Sequence, residues 1–259
     1  MGAVQVDRRG TDDAAHLLVL ADALRPLAGR VSEGDGGPAL HELVRIAVAH
    51  VPGAGSASLT LRRGTRLTTE AASDEVARQA DRLQLESGGG PGADAGFHES
   101  VYVTGDVGSD ARWPGWGRAV RHELGVASVL WQRFTLLGEP AVVAALTMYS
   151  ERPDAFDERA AGMGLVLASH GSLLVTATLA RSRANNLLQG LESNREIGVA
   201  MGILMHRHRL DRQQAFAVLR VASQDSNRKL AEVAREVADT GMLEIRRWPT
   251  PTGGEPAQG

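Results

Sequence analysis

The sequence predicts an α+β domain on one antiparallel sheet with helices, then a helical stalk, then a small all-α bundle of three helices. Three observations carry that prediction. Near residue 57 the apolar residues switch from a helical spacing to strict alternation, the mark of a change from helix to strand. No proline occurs between Asp157 and Pro249, so long helices can run through that stretch. After Asn194 three short apolar stripes follow at i, i+3, i+4, i+7 spacing with little sequence between them. The organisation expected is an N-terminal tail over 1–14, the sheet domain over 15–175, the stalk over 176–193, the bundle over 194–245 and a disordered tail over 246–259.

Ala14, Leu17, Leu18, Ala21 and Leu24 recur at helical spacing behind the caps Thr11 and Asp12. After a GRVSEGDGG loop, Pro38 sits in the first turn of a second helix with Leu40, Leu43, Val44, Ala47 and Val51 on one face. Ala57, Leu59 and Leu61 then alternate with Ser58, Thr60 and Arg62, Arg63-Gly64 turns, and Leu67, Thr69 and Ala71 return as the second strand of a hairpin. Asp74 to Leu85 reads as a short helix capped by Ser73, and SGGGPG over 87–92 as a loop. Val101 and Val103 flank Tyr102 in a third strand, and Arg112-Trp113-Pro114-Gly115-Trp116 leads into a helix near 116–122. Val126 to Phe134 and Ala141 to Ser150 complete the sheet through a Leu-Gly-Glu-Pro turn.

From Val166 through Leu173, Ala177, Ala180, Ala184, Leu187, Leu191 and Asn194 the apolar positions are spaced mainly by alternating fours and threes, as in a two-helix seam. Residues 157–175 read as packing on their own sheet, and 176–194 as a parallel homodimeric coiled coil, with Leu173, Ala180, Leu187 and Leu191 as the dimerisation contacts. In the bundle, Ile197, Ala200, Met201, Leu204 and Met205 mark one buried face, with Gly198 and Gly202 inside the helix. Asp211 and Gln214 form a capping box. Ala215, Phe216, Leu219 and Ala222 give the second stripe, Ser223 to Asn227 a turn, Leu230, Val233, Ala234 and Val237 the third stripe, and Gly241 its stop. Capping of that last helix by Asn227 or Ser226 is the alternative to a contact role for the turn.

Composition excludes more than it selects. The chain is 43% hydrophobic and 23% charged with a net charge of −3, which rules out a uniformly basic nucleic-acid coat protein. The body over 1–193 is acidic and the segment over 194–259 mildly basic, which permits a polyanionic partner at that end. Of 28 basic residues only Lys229 is lysine, so an individual arginine says little. With no cysteine there is no thiol catalysis, disulfide or Cys-based zinc site, and the histidines show no metal-binding spacing. The SGGGPG loop lacks the Gly-Lys-Ser/Thr ending of a phosphate-binding loop. No apolar run approaching 18 residues and no signal peptide is apparent, so neither a membrane span nor export is expected, and the location expected is cytoplasmic. No cofactor, metal or enzyme activity is expected.

The segments VPGAGSASLTLRRGTRLTTEAASDEVARQADRLQLESGGGPG, VYVTGDVGSDARWPGW, ELGVASVL and MYSERPDAFDE resemble the GAF sensor domains of actinobacterial regulators, over roughly 15–175. Gly90-Pro91-Gly92 stands where those domains commonly read Gly-Pro-Cys, so a cysteine-dependent role is absent. The resemblance implies a GAF-like fold and a possible small-molecule ligand over the sheet, for which Phe97, Trp113, Trp116 and Met148 are the candidate contacts.

The bundle resembles the ANTAR domain, an RNA-binding antitermination module. The signature is carried by Arg195, Ile197, Ala200 and Gly202 to Met205, then Ala215-Phe216, Leu219-Arg220 and Ala222-Ser223, then Asn227, Lys229-Leu230 and Val233-Ala234. In that family dimers bind paired RNA stem-loops, stabilise an antiterminator and let polymerase continue. The RNA-binding residues implied are Arg195, Gly202, Arg220, Ser223, Asn227, Arg228 and Lys229: cations for phosphates, hydroxyl and amide groups for base edges and 2′-hydroxyls. Met201 stands where relatives usually carry a basic residue, and Phe216 is assigned to the core, leaving no aromatic platform for bases. The rival readings are a protein-interaction regulator without RNA binding and a helix-turn-helix DNA binder, the latter disfavoured by Glu232, Glu236 and Asp239 on the third helix.

Overall fold

The computed structural model of the protein describes residues 18–27, 29, 36–94 and 98–243. The expected tails over 1–14 and 246–259, the helix start at Ala14 and Leu17, and Phe97 lie outside the described residues. The chain forms two compact units, Met1–Arg181 and Ser182–Gly259.

The first unit is a five-stranded antiparallel sheet, the predicted fold class, in the order β2-β1-β5-β4-β3. The strands are β1 (Ser56–Arg63), β2 (Arg66–Ala72), β3 (Val101–Thr104), β4 (Ser128–Thr135) and β5 (Val142–Ser150). The β1–β2 hairpin closes through Gly64 at φ +59, a left-handed conformation that favours glycine. Because side chains alternate across a strand, each central strand feeds two cores. Ala57, Leu59, Leu61, Leu130, Leu146 and Met148 face helix α2 (Gly36–His50) and the buried leucines Leu20, Leu24 and Leu27 of a helix over 18–27, here α1. The start of the long helix α5 (Glu158–His208) packs on the same side through Ala160, Met163, Leu167, Ala168, Leu174 and Val175.

The opposite face is covered by α3 (Glu75–Glu86) and α4 (Pro114–Leu124), with a 3-10 turn at Val107–Ser109. Its core is aromatic: Tyr102, Trp113, Trp116, Trp131 and Tyr149 fill it with Ala77, Ala80 and Val120. The α3 cap differs from the expected Ser73. Asp74 accepts the Ala77 N–H at 2.9 Å, while the Ser73 hydroxyl accepts the Ala57 N–H and donates to Asp74. Two adjacent residues of good capping type compete, and the carboxylate takes the orphan amide.

Helix α5 runs 51 residues without a break through the segments expected as sheet domain, stalk and bundle. It is long and apolar enough to cross a membrane by length and composition, its most apolar stretch having a mean hydropathy of 1.5. That corrects the count of apolar runs. Ala160 to Ala180 is interrupted by Ser, Thr, Gly and His but by no charged side chain, and the buried side of this part of the helix is core for the sheet.

In the second unit, the C-terminal part of α5 packs with α6 (Arg212–Ser226) and α7 (Leu230–Thr240) around Ala200, Leu204, Ala215, Val218, Leu219, Ala222, Val233, Ala234 and Val237. The predicted capping box is present: Asp211 accepts from Gln214 N–H at 2.8 Å and Gln214 Oε1 accepts from Asp211 N–H at 2.9 Å. Gly241, at φ +68, ends α7 as expected.

Candidate nucleic-acid interface

The loop between α6 and α7 is three residues, Asn227, Arg228 and Lys229, and its form is fixed by the backbone. Helix α6 runs to Ser226, so Ser223 lies in its last turn rather than in a loop. Asn227 is the C-cap, left-handed at φ +52, its N–H donating to the Ser223 and Gln224 carbonyls. Neither it nor Ser226 caps α7. Ser226 Oγ donates back to Ala222 O at 2.6 Å, and the N-cap of α7 is Lys229, which makes no side-chain capping bond. Ser223 Oγ donates to Arg228 O at 2.6 Å, pinning the loop against α6. The Asn227 side chain is not used for capping, and the Lys229 side chain stands exposed at the start of α7.

The cations divide into tied and untied. Arg228 pairs with Glu236 at 2.5 Å, and Arg235 forks onto Glu196 at 2.7 and 3.2 Å, joining α7 to α5. The Glu196 carboxylate holds the Arg235 guanidinium above its ordinary range. Sequence reasoning gave Arg235 no role. Arg195, Arg220 and Lys229 are exposed and form no salt bridge among the described residues. Gly202 is exposed, and a Cβ built on it or on Gly198 would meet nothing within 4 Å, so neither glycine serves a close approach inside the unit.

Phe216 departs from expectation. It is 41% exposed rather than part of the core. Ala215, Val218, Leu219 and Ala222 set the buried face, and Phe216 lies about 100° around the helix from Ala215. Met205 is exposed, so the expected face of α5 narrows to Ala200 and Leu204, buried, with Ile197 and Met201 half-buried against the same core.

Of the dimerisation candidates, Leu187 is 70% and Leu191 61% exposed, Ala180 is exposed, and Leu188 beside them is 63% exposed. Leu173 borders an apolar groove of the first unit with Leu18, Leu24 and Leu27.

The structure does not bring the ligand candidates of the first unit together. Met148 is fully buried on the α2 and α5 side of the sheet, while Trp113 and Trp116 lie on the other. Trp113 Nε1 donates to Asp94 at 3.0 Å and Trp116 Nε1 to the Ala80 carbonyl at 3.1 Å, and the two indoles meet edge to face. Behind them is a feature that sequence reasoning missed. Asp81 is buried, with Oδ1 accepting from Ser58 at 3.0 Å and Tyr149 at 2.7 Å, and Oδ2 from Thr69 at 2.9 Å. Burial pushes its carboxyl up to about 6, against the lowering by these hydroxyls and by Arg78. The available signal was polar residues at inward strand positions, Ser58 among them. A cleft of about 440 Å³ opens beside Tyr149, between Gly53–Ser56 and Ser150–Arg152.

Residues 185–237 match the family described as the ANTAR domain. Solved structures to which the chain is similar include the GAF domain from a phosphoenolpyruvate-protein phosphotransferase of Coxiella burnetii. That match has 15% identity, covers 65% of this chain and 96% of that one, and has a TM-score of 0.42. The phycoerythrobilin-bound GAF domain of a cyanobacterial phytochrome matches at 10% identity over 63% and 97% of the two chains, with a TM-score of 0.44. Free methionine-R-sulfoxide reductase of Neisseria meningitidis matches at 16% identity over 62% and 91%, with a TM-score of 0.43. No curated protein matches the sequence.

Proposed function

We propose that the protein, through the ANTAR domain matched over 185–237, is an RNA-binding transcription antitermination regulator of the cytoplasm. Its first unit is a GAF-like sensor, α5 pairs two copies, and the paired bundles bind two RNA stem-loops so that polymerase reads on. The family match is the observation that carries this reading. The untied Arg195, Arg220 and Lys229 support it, since phosphate neutralisation needs cations that carboxylates have not already satisfied. The unused side chain of Asn227 and its left-handed backbone add a base-edge donor and acceptor on a rigid loop. Arg228, paired with Glu236, contributes less charge than its position in the signature suggests. Pairing through α5 would cover Leu187 and Leu191. Input to the sensor is a small molecule or another signal acting on the first unit.

The test is a titration of labelled two-hairpin RNA and of matched duplex DNA at two salt concentrations. Wild type prefers the RNA. Lys229→Ala with Arg220→Ala loses that preference while keeping its helical signal, each removed phosphate contact lowering the salt slope by about 0.7 to 1. Binding to neither nucleic acid, or equally to both, overturns the reading.

A further inference from the structure

Phe216 is the only Phe, Tyr or Trp among the described residues of the second unit, and it faces water. Arg212, Phe216 and Arg220 stand four residues apart, so they form one exposed ridge of α6, the ring between two arginines whose backbone positions are about 12 Å apart along the axis. Neither arginine forms a salt bridge among the described residues. Beside the ring lies a groove of about 490 Å³ lined also by Asn194, Ile197, Gly198 and Met201 of α5 and by Arg212 and Gln213 of α6. A Cβ at Gly198 would meet nothing within 4 Å, so the space beside it is open.

The groove is thus lined by an aromatic ring, the Met201 thioether, Ile197, two amide side chains and the Arg212 guanidinium, and Arg220 follows one turn of α6 beyond the ring. A second copy docked ridge to ridge is a poor occupant, because residues 212–220 carry no carboxylate to offset the four guanidiniums it would bring together. An unpaired nucleobase fits on every count: its face stacks on the ring, its edge meets the amides and its flanking phosphates meet the arginines. Resting on the RNA-binding reading above, we propose that this groove takes one unpaired base of an RNA stem-loop, stacked between Phe216 and Met201, with Arg212 and Arg220 on the neighbouring phosphates. Met201 is then the second wall of a base site rather than a missing phosphate contact.

The probe is an RNA selected by the full-length wild type from a pool carrying two stem-loops with randomised loops. Phe216→Leu, which keeps an apolar side chain but removes the aromatic face, is compared with wild type on that RNA and on versions with single abasic loop positions. Phe216→Leu is expected to weaken binding about ten-fold, the scale of one base–aromatic stack. At one loop position the abasic change is expected to weaken wild type by a similar factor and Phe216→Leu hardly at all. Equal binding by the variant and wild type overturns the proposal and leaves the RNA reading standing. So does equal weakening of both proteins at every abasic position. A variant that loses RNA together with its oligomeric state in light scattering assigns the groove to a second copy and overturns it too. Failure to select any RNA overturns the parent reading as well.

Discussion

Replacing Asp81 with asparagine is expected to make the first unit more stable at pH 7, although the substitution alters three buried hydrogen bonds. The carboxyl is raised from 3.8 to about 6 by burial. The folded protein therefore binds its proton more tightly than the unfolded chain does. Its contribution to stability is fully present below the unfolded value of 3.8 and is lost as pH rises through about 6. At about 1.4 kcal/mol per pH unit, the whole window amounts to about 3 kcal/mol, and the part between pH 4.5 and pH 7 to about 2 kcal/mol. Asparagine resembles the protonated acid: its Oδ1 keeps the hydrogen bonds from Ser58 and Tyr149, and its amide donates to Thr69 once that hydroxyl turns. Urea unfolding followed by tryptophan fluorescence reads this unit, since Trp113, Trp116 and Trp131 are packed in its core. The difference in stability between Asp81→Asn and wild type is expected to grow by about 2 kcal/mol from pH 4.5 to pH 7. Using the difference removes the titration of other groups. If the difference shrinks as pH rises, the three hydroxyls and Arg78 outweigh desolvation, and the account of this core is wrong.

Leu187→Asp with Leu191→Asp is expected to convert dimer to monomer in light scattering at micromolar concentration, because two charges would enter an apolar seam; a wild type already monomeric there sinks the pairing. Asn227→Gly suits the left-handed C-cap at φ +52 and is expected to change stability by only about 0.5 kcal/mol while weakening RNA binding about ten-fold. Thermal melting beside an RNA titration separates the two effects, and unchanged binding would leave Asn227 a capping residue alone. Gly117→Ala would drive a methyl into the backbone carbonyl of Val107. It is expected to cost about 1–3 kcal/mol in urea unfolding, and no loss would mean that the 3-10 turn yields easily.

Much of the fold was legible because local rules agreed with one another. The β1–β2 hairpin joins an alternating pattern to a glycine at positive φ, and α6 opens on a capping box whose both bonds form. Misreadings came where two residues competed for one place. Ser73 and Asp74 can each cap α3, and Phe216 falls at the edge of the α6 stripe, beyond the face that Ala215, Val218, Leu219 and Ala222 bury. Met148 adjoins Tyr149 on β5, and neighbours on a strand face opposite ways, so it does not join the tryptophans. Asp81 was illegible for another reason. Its partners Ser58, Thr69 and Tyr149 come from three strands, and only their assembly turns a helix carboxylate into a buried one.

The isolation of Lys229 has a practical consequence. A lysine-specific protease has one peptide bond to cut in the whole chain, Lys229–Leu230, and that bond opens α7 with the side chain exposed. Cleavage there yields two fragments of unequal size, and its rate reports how often the first turn of α7 opens. An RNA seated on the loop would slow the cut and free duplex DNA would not, so a single gel band can follow occupancy without any label on the protein or the nucleic acid.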